Sequence, residues 1–233
     1  MLTSEQVQSL FAFCEKHFVK YYDVQVELVD HLANAVELEM QNEPKLSFEK
    51  AVEKVHRSFG VRGFAPLVAE KQAAAEKHNK KLFWQLFKDH FGWPKILFFF
   101  VLLIILYTLF SFDPSFMYWG SLGIIFIFWP VLSTGMLRLQ RHVYKTGKKF
   151  VVINLSWIGS LLFLPVYFIN ISNAYKTFLG DYTFSYLQHS LIVYGVSTFL
   201  SLYIIAIVAY WQTLTSVQKD LHKNYPEVFS VAE

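Results

Sequence analysis

The stretch "ILFFFVLLIILYTLFSF", residues 96–112, decides how this chain is read. It carries no charge, and extended back to Trp93 it reaches the ~20 residues that cross ~30 Å of hydrocarbon at ~1.5 Å per residue. Three further runs share this character: 116–137, 150–171 and 187–214, each with a core free of Asp, Glu, Lys and Arg. Backbone groups in lipid must pair within their own segment, so all four runs are expected to be helices rather than strands.

The joints between the runs differ in charge. "RLQRHVYKTGKK", between the second and third, holds Arg138, Arg141, Lys145, Lys148 and Lys149. Lys80, Lys81, Lys88 and Lys95 precede or open the first run, and Lys219 and Lys223 follow the fourth. "SFDPS" has no base, and the third joint has only Lys176. Lysine and arginine mark the cytoplasmic side, so both termini and the basic joint are expected there. The five basic residues of the joint are read as topology determinants and lipid-headgroup contacts. Trp93, Trp119, Trp157 and Trp211 lie near the expected span ends.

Of 233 residues, 54% are hydrophobic and only 17% charged, against the ~25% usual in soluble domains. Residues 1–92 are nearly balanced in acid and base, so the composition joins a soluble piece to a membrane piece. One cysteine, Cys14, excludes an intrachain disulfide and falls on an apolar helix face, where it reads as a small buried hydrophobe. "MLTSEQVQSLFAF" lacks the basic start of a signal peptide, so the first domain is expected to remain unexported.

The soluble piece reads as about four helices. Thr3 with Gln6 forms a capping box before Val7, Leu10, Phe11, Cys14 and Phe18, spaced three and four apart. Ser47 caps a third helix whose inward face is Phe48, Ala51, Val52, Val55 and Phe59, with Gly60 as its stop. Pro66 suits the first turn of a fourth, which continues through "AEKQAAAEKHNKK" into the basic, aromatic "LFWQLFKDHFGW". The expected organisation is therefore all-α: a cytoplasmic helical domain over 1–79, an amphipathic juxtamembrane helix over 80–92, four transmembrane helices within 93–214, and a cytoplasmic tail over 215–233.

The second helix contains "VELVDHLANAVELE", residues 26–39. At ~100° per residue, Val26, Val29, Ala33, Val36 and Met40 cluster, with Leu28, Leu32 and Ala35 widening the apolar side. Asp23, Glu27, Asp30, Asn34 and Glu37 fall on the other half, with His31 at the edge. Glu27 and His31, four apart, have the spacing of two metal ligands on one face, but a site needs three or four, and no "HExxH" or Cys/His cluster supplies them. The pair reads as ordinary i,i+4 stabilisation within an interaction face. In the fourth apolar run, Ser190, Tyr194, Ser197 and Ser201 share a narrow stripe, read as a helix-packing surface rather than a ligand path.

Residues 20–72 also carry a longer pattern. Glu27, Leu28, Asp30, His31 and Leu32 are followed by a Pro-containing turn, then by Ser47, Glu49, Ala51, Phe59 and Gly60. This resembles the HAAS-type and permease-prefix small helical domains of bacterial membrane proteins. It departs from them in "VRGFAP" after Phe-Gly and in the longer loop "QNEPKL". The resemblance implies a non-enzymatic domain on the cytoplasmic face of a bacterial inner membrane, acting through contacts with a regulator or transport component.

The expected function is therefore protein–protein interaction in signalling or regulation, with no cofactor and no metal. Expected partners are membrane lipids, a cytoplasmic protein, and a second copy of the chain. An accessory transporter subunit or small permease is the alternative. A membrane enzyme built on Glu27 and His31, or on the basic joint with His142, is a remote third. Nucleic acid is not expected, because the soluble domain is near neutral and has no basic stripe.

Overall fold

The computed structural model describes residues 1–112, 114–153 and 186–230, without the side chains of 114–118, 122, 125, 126, 128, 129, 132 and 186–189. Among these residues every regular element is a helix: α1 Ser4–Lys16, α2 Tyr22–Asn42, α3 Phe48–Ser58, α4 Ala65–Asp89, α5 Ile96–Phe112, α6 Pro114–Tyr144, a short 3-10 helix Val151–Ile153 (η1), α7 Tyr186–Asn224 and α8 Pro226–Ser230.

Local signals set several boundaries. Thr3 and Gln6 exchange both bonds of the capping box at 3.3 and 2.8 Å. Ser47 caps α3, and Gly60 leaves it at φ +76°. The juxtamembrane stretch 80–92 is helical to Asp89 as the continuation of α4, which runs unbroken from Ala65. Its Ala/Glu/Lys/Gln-rich middle gives no reason to stop.

The described residues divide into two compact units. The first gathers residues 1–78 with 141–153 and 225–230. Its core is Leu10, Cys14, Leu28, Leu32, Val36 and Ala51, each at most 1% exposed, joined by Phe64 and by Val151 from η1. On α2 the buried face comprises Val24, Gln25, Leu28, Val29, Leu32 and Val36. Val26, expected at its centre, is only half-buried, and the buried Gln25 amide donates to the Val19 carbonyl at 2.6 Å. The polar exception is satisfied by the turn that ends α1.

The second unit holds 79–140 and the described residues from 186 to 224. Leu106 and Phe110 of α5 pack with Val193, Val196 and Leu200 of α7. A Cβ on Gly135 of α6 would lie 2.5 Å from the Trp211 ring of α7, so a glycine is what admits that ring. Phe98, Val101, Ile104 and Ile105 of α5 remain exposed.

The four expected spans fare differently. One helix among the described residues, Ser190–Asn224, is long and apolar enough to cross a membrane. The run expected from Trp93 becomes helical only at Ile96, because turns occupy 90–95, and its 17 residues fall short of that length. The second run lies inside α6, which extends to Tyr144. The third was expected from 150, but 150–153 belong to the first unit as a loop residue and η1, and its remainder, 154–171, lies outside the described residues. A four-helix transmembrane bundle is thus not what the described residues display. Length and composition single out one helix, with one shorter apolar helix beside it.

Candidate functional site

The start of α2 is where distant parts of the first unit converge. Tyr21, its N-cap residue, offers no side-chain bond to the helix. The first backbone N–H groups of any helix lack internal partners and must find them elsewhere. Tyr22 donates its N–H to the Lys149 carbonyl at 2.7 Å. In the opposite direction, the Val151 N–H donates to both Asp23 carboxylate oxygens at 3.1 and 3.0 Å, and the Val152 N–H to Oδ2 at 3.4 Å. Asp23 Oδ1 also accepts from Val24 N–H at 3.1 Å. The two helix starts cap each other, as a capping box does within one helix, but across 128 residues of sequence.

Aromatic rings close the same junction. Tyr22 meets Phe150 and Tyr225 edge-on at 5.8 and 5.9 Å, and Lys148 Nζ stands 5.0 Å over its ring. Phe229 of α8 stacks on Phe150 at 6.2 Å and on His142 at 5.5 Å. Phe150, Val151 and Phe229 are buried. A cleft of about 290 Å³ remains beside them, lined by Asp23, Glu27, Lys71, His78, Val151 and Tyr225 among others.

Burial raises the Asp23 pKa above its ordinary range, and the N–H groups of Val151, Val152 and Val24 only partly oppose this. Tyr225 is likewise pushed up, first by burial and then by the carboxylates of Asp23 and Glu27. Cys14, buried in the core, has its thiol pushed up to about 12 by desolvation.

The acidic stripe read from the sequence is thus divided. Asp23 is committed to η1. Glu27 holds Lys71 of α4 at 2.5 Å, while His31 Nε2 stands 3.9 Å away, beyond hydrogen-bond reach. Glu37 accepts from the Leu2 N–H at 2.6 Å. Asp30, His31 and Asn34 remain exposed. Among the described residues no three His, Cys, Asp or Glu side chains group as a metal site would require.

The other expected residues separate too. In the basic joint, Arg138, Arg141, Lys145, Lys148 and Lys149 are all exposed, and Lys148 and Lys149 serve the junction itself. In α7, Ser197 and Ser201 are buried and donate to the carbonyls of Val193 and Ser197 at 2.7 and 2.8 Å, whereas Tyr194 is exposed and Ser190 half-buried. Those two buried hydroxyls are spent on their own helix.

Sequence reasoning passed over Tyr22, Phe150, Tyr225 and Phe229. The available signal was aromatic content in polar settings, "GKKFVV" and "NYPEVF", which names candidates but no pairing. Comparison with known protein families, curated proteins and solved structures finds no match to this chain.

Proposed function

We propose that this chain is a non-enzymatic, multi-pass membrane protein whose cytoplasmic helical unit mediates protein–protein interaction in regulation. The observation that carries this reading is the make-up of the first unit. Residues 1–78, 141–153 and 225–230 bring together the N-terminal domain, Arg141, Lys145, Lys148 and Lys149 of the basic joint, and part of the tail, all expected on one side of the bilayer. Segments that pack into one unit must share a compartment, which supports placing both termini and the joint on the same side. The apolar outer surface of α5 adds support, since a patch of that kind needs lipid or protein over it.

Within the unit, Asp30, His31 and Asn34 form the part of the acidic stripe left for a partner. The cytoplasmic, inner-membrane setting follows from the charge pattern and from the resemblance to HAAS-type domains. The permease alternative gains nothing from α7, where Ser197 and Ser201 bond their own helix.

Reporter fusions at residue 1, within 145–148 and after residue 230 test the topology. All three should report the cytoplasmic side, and a periplasmic signal from any of them overturns it. Crosslinking in native membranes with Asp30→Lys and Asn34→Lys tests the interaction. Loss of a crosslinked partner is expected, and an unchanged partner set puts the interaction face elsewhere.

A further inference from the structure

Two turns of the first unit meet at one corner. At the end of α1, Val19 N–H bonds the Cys14 carbonyl and Phe18 N–H bonds the Glu15 carbonyl, both at 3.0 Å. This pattern closes helices through a left-handed residue, usually glycine. Here that residue is Phe18, at φ +66°. At the end of α3 the corresponding residue is Gly60, at φ +76°. His17 and His56, one from each helix end, touch with ring centroids 4.2 Å apart. A groove of about 370 Å³ beside them is lined by Phe18, Val61, Arg62, Val68 and Gln72 among others.

Phe18 is 82% exposed and Val61 fully exposed. A bulky residue in the left-handed region is strained, and strain held in place without core burial points to a surface role. The surrounding charge is mainly basic, although exposed Glu15 directly precedes Lys16. "KHFVK", residues 16–20, and "RSFGVRG", residues 57–63, hold four cations and no acid. Glu53 approaches Arg57 only to 3.9 Å with both side chains exposed, a pair worth little. His17 has its pKa lowered, by desolvation first and then by His56 and Lys16. The groove beside it is lined by His56 of α3, by Arg62 from the turn and, from α4, by Val68, Ala69 and the uncharged Gln72. Basic side chains in a last turn also offset the helix dipole, but Lys20 and Arg62 lie beyond both helices.

We propose that this corner docks on an anionic lipid headgroup surface, with Phe18 and Val61 entering the interfacial layer and Lys16, Lys20, Arg57 and Arg62 pairing with lipid phosphates. Apolar side chains ringed by cations are what such a surface binds. The proposal rests on the membrane reading above.

The test uses the full chain in nanodiscs of phosphatidylglycerol or phosphatidylcholine, with Val61→Cys carrying a bimane label. Cys14, buried, stays unlabelled. Spin-labelled lipid should quench the probe in phosphatidylglycerol and much less in phosphatidylcholine. Lys20→Gln and Arg62→Gln should each lower the docked-to-free ratio roughly fivefold. Phe18→Gly should raise the thermal midpoint and reduce quenching together, whereas a residue that only ends a helix would move the midpoint alone. Equal quenching in both lipids, or none, overturns the proposal. So does a probe that ignores lipid and responds to polyglutamate, which would assign the corner to an acidic protein surface. Carbonate extraction separates the two readings: a chain that resists it with an unquenched probe removes the corner alone, and a chain released by it removes the membrane reading.

Discussion

At Asp23 one carboxylate answers three backbone N–H groups, from Val24, Val151 and Val152. Removing it leaves donors unsatisfied in a half-buried place, so Asp23→Ala should cost about 2 kcal/mol in urea unfolding of the first unit. Asp23→Asn keeps an acceptor oxygen and should cost less. The pH dependence has a defined sign. The folded pKa is raised, so between the ordinary carboxylate value and the raised one the native state binds more protons than the unfolded chain. The Asp23 contribution is therefore full below the ordinary value and is lost as pH rises through the folded pKa. Subtracting the Asp23→Asn stability–pH curve from that of the natural protein should leave a difference that falls with rising pH over that window. A rising difference would show that the N–H groups outweigh burial. Cys14 offers a second residue-scale check. A thiol pushed up to about 12 and buried should resist maleimide at neutral pH until denaturant is added.

Elements explain why some of this was legible and some not. Thr3, Ser47 and Gly60 announce helix ends because caps act over three or four residues, within the reach of a local pattern. The α2 start announces nothing, since its partners lie at 149–152, and periodicity carries no information about pairing at that separation. The same limit hid Glu27–Lys71, 44 residues apart, which turned an expected docking residue into a brace between α2 and α4. Phe18 was read as part of the apolar face of α1, since its spacing continues that of Leu10, Phe11 and Cys14. The helix closes at His17, and the left-handed step carries the ring outward. Two substitutions probe elements directly. Val151→Pro removes one donor at the first position of η1, where proline's φ is tolerated, and should cost about 1.5–3 kcal/mol, the range for a bond to a charged acceptor. Gly135→Val should drive α6 against the Trp211 ring and lower the thermal midpoint, with a cost of about 1–3 kcal/mol. Trp211→Leu should recover part of that loss, and no recovery would place the strain elsewhere.

For the whole molecule, charge placement was the informative signal. It marked the joint whose Arg141, Lys145, Lys148 and Lys149 fall in the first unit, while Lys80, Lys81, Lys88, Lys95, Arg138, Lys219 and Lys223, marked by the same rule, fall in the second. The apolar runs were less secure guides to helix ends. The first begins three residues later than composition implies, and the fourth continues ten residues past its apolar stretch, to Asn224. Truncation after Asn224 removes Tyr225 and Phe229 from Phe150 and Tyr22, so limited proteolysis should then cut within 141–153 sooner than in the intact chain. Unchanged cleavage would mean the tail adds nothing to the junction.

Because the amide that answers Asp23 is made 128 positions later, the order of synthesis matters. A nascent chain that has emerged only as far as residue 78 carries every buried residue of the first unit's core except Val151, and lacks the partners at the front of α2. Those partners arrive only when translation passes Val151, and their aromatic cover arrives last, with Phe229. A ribosome stalled before Lys149 should therefore carry a chain whose Tyr22 amide exchanges with solvent freely, while the finished protein protects it.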